Sequence, residues 1–166
     1  AIVIHAESRS QVMRNVKVAF DSGVRFVFLI GHSMRSAGLL QHFFTVRREY
    51  SYPKQEVGGG LMIGVNFLDL DGEEAVKLAV RHNISAVWID DGGIDEEDDD
   101  PCRMARKNCA AKGGIPGIPL IFGGVAFKHQ MPVKDVARVA RLAVPFMEVV
   151  TTSGEATGSS PDPEKI

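Results

Sequence analysis

Ala1-Ile-Val-Ile-His-Ala6 and Arg25-Phe-Val-Phe-Leu-Ile-Gly31 decide the fold, together with the segment between them. Both are short apolar runs rich in β-branched and aromatic residues, the pattern of strands buried on two faces. Between them, Ser8 and Gln11 have capping-box spacing, and Val12, Val16, Ala19 and Phe20 fall on one helical face. Gly23 stands where a glycine commonly stops a helix. Strand, helix, glycine and strand make a βαβ unit.

The unit repeats along the chain. Met34 to Tyr50 reads as a helix, followed by a loop through Pro53 and Gly58-Gly59-Gly60 and the strand Leu61–Phe67. Asp71 caps a third helix, with Glu74 at the capping-box position and Ala75, Val76, Ala79 and Val80 facing inward. The strand Ser85–Asp90, the acidic loop Asp95–Asp100 and a helix near Pro101–Lys112 come next. Pro119–Phe127 is the fifth strand, Pro132 begins the next helix, and Phe146–Thr151 is the sixth strand. Asp162 and Pro163 read as the cap and first residue of another helix.

This alternation predicts an α/β protein, a single domain over 1–166 built as a TIM-type (β/α)8 barrel. At 166 residues the chain is shorter than the roughly 250 of a typical barrel, so it is expected to hold about six βα units, with the C-terminal strands lying downstream. A doubly wound sheet also alternates strand and helix. It would carry GxGxxG after the first strand and gather its polar residues at one switch point, whereas here they follow every strand.

A net charge of −2 offers no basic field for nucleic acid, and no apolar stretch approaches the ~20 residues of a spanning helix. The two cysteines, Cys102 and Cys109, have neither zinc-site spacing nor the reach to bridge along a helix, so reduced thiols and a cytoplasmic location are expected. Any membrane contact would be peripheral.

In a barrel the C-terminal strand ends build the site. His5, with Glu7 two residues on, and His32 after Gly31 bring two imidazoles to neighbouring strand ends, where a carboxylate could poise His5 as an acid or base. Gly31 would let a ligand approach the backbone. Asn66 offers an amide to orient a hydroxyl or carbonyl. Of Asp90 and Asp91, one caps a turn and the other is the acid–base candidate; the pair could also hold a divalent cation, the only metal the pattern admits. Lys128 could form a Schiff base or bind phosphate as a point charge. His129 is its neighbour, and Ser153, Gly154 and Thr157 lie in a small-residue loop able to cradle an anion. No organic cofactor is expected. The acidic run 95–100 reads as a solvated insertion, and His42 and His82 as surface residues of outer helices.

Val65-Asn66, Lys128-His129 and Thr152-Ser-Gly-Glu-Ala-Thr-Gly-Ser-Ser-Pro-Asp162 together resemble the BtpA-like family of TIM-barrel proteins, associated with photosystem I biogenesis. The resemblance implies a barrel related to phosphate-binding enzymes, with Asn66, Lys128, His129, Ser153, Gly154, Thr157 and Asp162 as site positions. Two functions follow. One is an enzyme acting on a small, phosphorylated metabolite by isomerase, lyase or hydrolase chemistry. The other is a non-catalytic assembly or stability factor, and either could act as a homo-oligomer.

Overall fold

Ser8 caps the first helix as its spacing predicts: its hydroxyl oxygen accepts the Gln11 N–H at 3.3 Å, and the Gln11 side chain accepts the Glu7 N–H at 3.2 Å. Asp71 acts likewise at the third helix, accepting the Glu74 N–H at 2.8 Å. Gly23 follows the first helix at φ +88°, a conformation glycine adopts without penalty. These local signals fix where helices begin and end, and so where the intervening strands can pair.

The computed structural model describes residues 1–50, 60–114, 117–128, 130, 132–156 and 159–163. The strands are β1 (Ile2–His5), β2 (Phe26–Ile30), β3 (Met62–Asn66), β4 (Ala86–Ile89), β5 (Leu120–Gly124) and β6 (Val149–Thr151). Between them run α1 (Arg9–Asp21), α2 (Ser36–Tyr50), α3 (Gly72–Arg81), α4 (Arg103–Ala110) and α5 (Val136–Ala143). The strands form one all-parallel sheet in the order β1-β2-β3-β4-β5-β6. The order never reverses, so the sheet has no switch point of the doubly wound kind. It does not close: among the described residues β1 pairs only with β2, and β6 only with β5. Also among the described residues, no helix is long and apolar enough to cross a membrane.

Several boundaries differ from the sequence reading. The fifth strand ends at Gly124, and the chain turns through Ala126 at φ +51°. Pro132 does not begin α5; Asp135 is its cap, accepting the Arg138 N–H at 2.8 Å, and a real side-chain acceptor outweighs a proline's preset φ. A 3-10 turn at Val144–Phe146 takes up the start of the expected sixth strand. The acidic run lies at exposed and half-buried positions, as a solvated segment does, and surface ion pairs tie it down: Asp98 to Arg103, Asp100 to Arg106 and Glu97 to Lys134. His42 and His82 do lie on the outer-helix side, but half-buried. Burial lowers the His42 pKa, and His82 packs edge-on against Phe44 at 5.4 Å. Most of the expected 53–60 loop, and the helix expected after Asp162, fall outside the described residues.

Register places Val3 and His5, Phe28 and Ile30, Gly64 and Asn66, Ala86 and Trp88, and Phe122 and Gly124 on one face. Ile4, Val27, Leu29, Ile63, Val65, Val87, Ile89 and Ile121 alternate onto the other, where they join helix residues such as Val16, Phe43, Val76 and Val139 in one apolar core. The first face is concave. Phe28 of β2 reaches Phe122 of β5 with ring centroids 4.9 Å apart. A flat sheet would hold strands three positions apart at about 14 Å, so the sheet curls strongly. Gly64 permits this, since a Cβ there would clash with Cε1 of the Phe28 ring, which crosses β3 to meet Trp88 at 5.4 Å.

Candidate functional site

The curl turns the strand ends toward one another. His5 from β1 and His32 after β2 stack face to face, ring centroids 5.1 Å apart and planes 16° from parallel. Asn66, at the end of β3 and only 4 % exposed, donates its Nδ2 to Asp90 Oδ1 at 2.8 Å. His5, His32, Asn66, Asp90 and Lys128 then line one open cavity of about 430 Å³, over a floor that includes Phe28, Ile30, Trp88 and Phe127. The ligand-sized volume, the apolar floor and a few convergent polar groups are what small-molecule sites share.

The loops are tied together around this mouth. Asp91 Oδ1 accepts the Gly93 N–H at 2.9 Å and Gln130 Nε2 at 2.8 Å, so Asp91 caps the turn while Asp90 faces the cavity. Gln130 also donates to the Gly124 carbonyl at 3.1 Å and accepts the Phe127 N–H at 2.6 Å. Ser153 Oγ accepts the Lys128 N–H at 2.9 Å, linking the loops after β5 and β6. Lys128, held at its backbone, is one of the residues that line the mouth.

Other expected residues lie elsewhere. Glu7 does not line the cavity; the ring that faces His5 is His32. Gly31 makes room for its own chain, since a Cβ there would sit 2.5 Å from Met34 Cγ. Ser153 and Gly154 are outside the 430 Å³ cavity; Gly154 lines a second recess of about 320 Å³ with Lys128, Gln130 and Glu155. Asp162 is an exposed residue. His129 and Thr157 lie outside the described residues. Among the described residues, no three His, Cys, Asp or Glu side chains gather as a metal set. Both cysteines are free thiols.

Sequence reading missed Trp88, which shares the inward face with Asp90 two residues on, a period-two signal that was available. It also missed Gln130 and Asn108. Nothing in the sequence distinguishes Asn108 from a surface residue of α4, yet it is 4 % exposed. No family model, curated protein or solved structure matches this chain.

Proposed function

We propose that the six-stranded sheet is an arc of a TIM-type (β/α)8 barrel and that its mouth is the active site of an enzyme acting on a small, phosphorylated metabolite. The observation that carries this reading is the convergence of His5, His32, Asn66, Asp90 and Lys128 on one 430 Å³ cavity at the strand ends. Asp90, oriented by the Asn66 amide, moves a proton. Lys128 supplies positive charge and the histidine pair N–H donors to an anionic group, with Lys128 acting as a point charge on phosphate. Isomerisation, an aldol-type lyase step and hydrolysis all use such a set. The resemblance to BtpA-like proteins supports phosphate as the anion. The same protein would serve less well as an assembly scaffold: among the described residues its helical segments expose at most one large apolar side chain each, Val18 on α1, Phe44 on α2, Met104 on α4 and Val144 in the 3-10 turn after α5.

A thermal-shift titration with inorganic phosphate and sugar phosphates tests this reading. A ligand present at 100 times its Kd adds about 2.7 kcal/mol to apparent stability. The expected result is a rise in Tm that Lys128→Ala abolishes. A melting curve indifferent to every phosphate compound would remove the reading.

A further inference from the structure

Behind the mouth lies a second cavity of about 310 Å³, between the strand ends of β3 and β4, the start of α3, and α4. Asn66, Leu68, Trp88 and Asp90 line both cavities and so form the wall between them. The far side differs in character from the mouth. Among the described residues, the charged ones lining it are Asp71, Asp90 and Asp91, and none of these is in an ion pair.

Two buried polar groups lining the second cavity have no partner among the described residues. The Asn108 side chain makes no hydrogen bond although the residue is 4 % exposed; its amide lies flat against Gly72, where a Cβ would sit 2.5 Å from Nδ2. The Trp88 indole N–H is likewise buried and unpartnered. Leaving a buried donor or acceptor unmet is costly, so each points to something that fills the space. The carboxylates add uncommitted acceptors. The four hydrogen bonds that Asp71, Asp90 and Asp91 accept among the described residues all fall on Oδ1, leaving each Oδ2 without one.

The unmet atoms are thus both donors and acceptors. An ammonium group would satisfy only the acceptors, and a phosphate would be repelled by three carboxylates. A hydroxyl both donates and accepts. We infer that the second cavity binds the hydroxyl-bearing, polyol part of the substrate, while its phosphate stays on the His5, His32 and Lys128 side. This rests on the reading of the mouth given above and names the substrate class: a polyhydroxylated phosphate ester long enough to pass the Asn66–Trp88–Asp90 wall.

The chain's one tryptophan stands in that wall, so its fluorescence reports occupancy of either cavity. The full chain is titrated with glucitol 6-phosphate and with hexyl phosphate, which differ only in hydroxyls along the same carbon chain. The polyol ester is expected to bind at least tenfold tighter, and Asn108→Leu to bring the ratio of the two Kd values close to one. Asp91→Asn, which keeps shape and turn, should lower the same ratio and serves if the leucine variant fails to fold. Equal affinity for both esters would overturn the polyol inference and leave the phosphate mouth standing. Binding of neither would overturn both. Competition against the polyol by Mg²⁺ or hexylammonium, at concentrations that leave hexyl phosphate bound, would assign the second cavity to a cation and overturn the inference.

Discussion

The two faces of the sheet follow opposite rules. On the outer face Val27, Leu29, Val65 and Val87 are fully buried beneath helices, with only backbone polar groups to satisfy. On the concave face Val3 is 41 % and Met62 40 % exposed, while Trp88 Nε1 and Thr151 Oγ1 are buried with no partner among the described residues. One face is closed and saturated; the other is open at its rim and leaves polar groups unmet. The outer face accordingly carries stability through buried area, and the inner face is where the proposed site lies.

The comparison breaks first at Phe28, a large inner residue that is only 1 % exposed. Its ring bridges β2 to Trp88 and Phe122, so Phe28→Ala should lower unfolding free energy by about 4 kcal/mol in urea denaturation. A loss under about 1 kcal/mol would mean that the aromatic floor is not packed and that the curl has another cause.

A smaller effect is expected where a polar pair is fully met. Lys112 Nζ reaches Glu148 Oε1 at 2.5 Å, and Glu148 Oε2 accepts the Ile121 N–H at 2.7 Å, joining the end of α4 to β5 and β6. Burial pushes the Glu148 carboxyl up, but the Lys112 hydrogen bond and the backbone N–H groups outweigh it and hold it below the ordinary value of 4.5. A carboxylate with a depressed folded pKa contributes stability that is complete above its unfolded value and lost as pH falls through its folded one. Lys112→Met should therefore cost about 1–2 kcal/mol at pH 7, discounted because the Glu148 side chain is 38 % exposed. The difference from the parent should shrink below pH 4.5 as Glu148 protonates. A difference independent of pH would assign the loss to packing of the lysine stem.

The smallest effect sharpens the contrast. Trp88→Phe removes a donor with no partner, so its stability cost should stay within about 1 kcal/mol, the loss of ring volume offset by relief of the unmet N–H. The polyol selectivity proposed above should fall in the same variant, measured calorimetrically because the fluorophore is gone. A large loss of stability would show that the indole is structural.

The local grammar was legible in the sequence because each signal acts within a few residues. Ser8 and Asp71 cap because a side-chain oxygen three residues before an amide can reach it, and Gly23 stops a helix because it accepts φ +88°. The same locality explains the miss at α5: Pro132 and Asp135 both signal a start, and composition does not rank a preset φ against a hydrogen bond. At the site, His5, His32, Asn66, Asp90 and Lys128 could be named from their positions at strand ends.

The sequence by itself determined the alternation of strands and helices, their parallel run, and which end of the sheet carries polar side chains, because all three follow from period, capping and order along the chain. Only the tertiary structure decided that His5 stacks on His32 in place of meeting Glu7, that Phe28 crosses Gly64 to reach β5, and that Asn108 is a buried amide beside a second cavity. Those facts depend on how far the sheet curls. Curvature is set by the sum of packing contacts between residues distant in sequence, which no local pattern encodes.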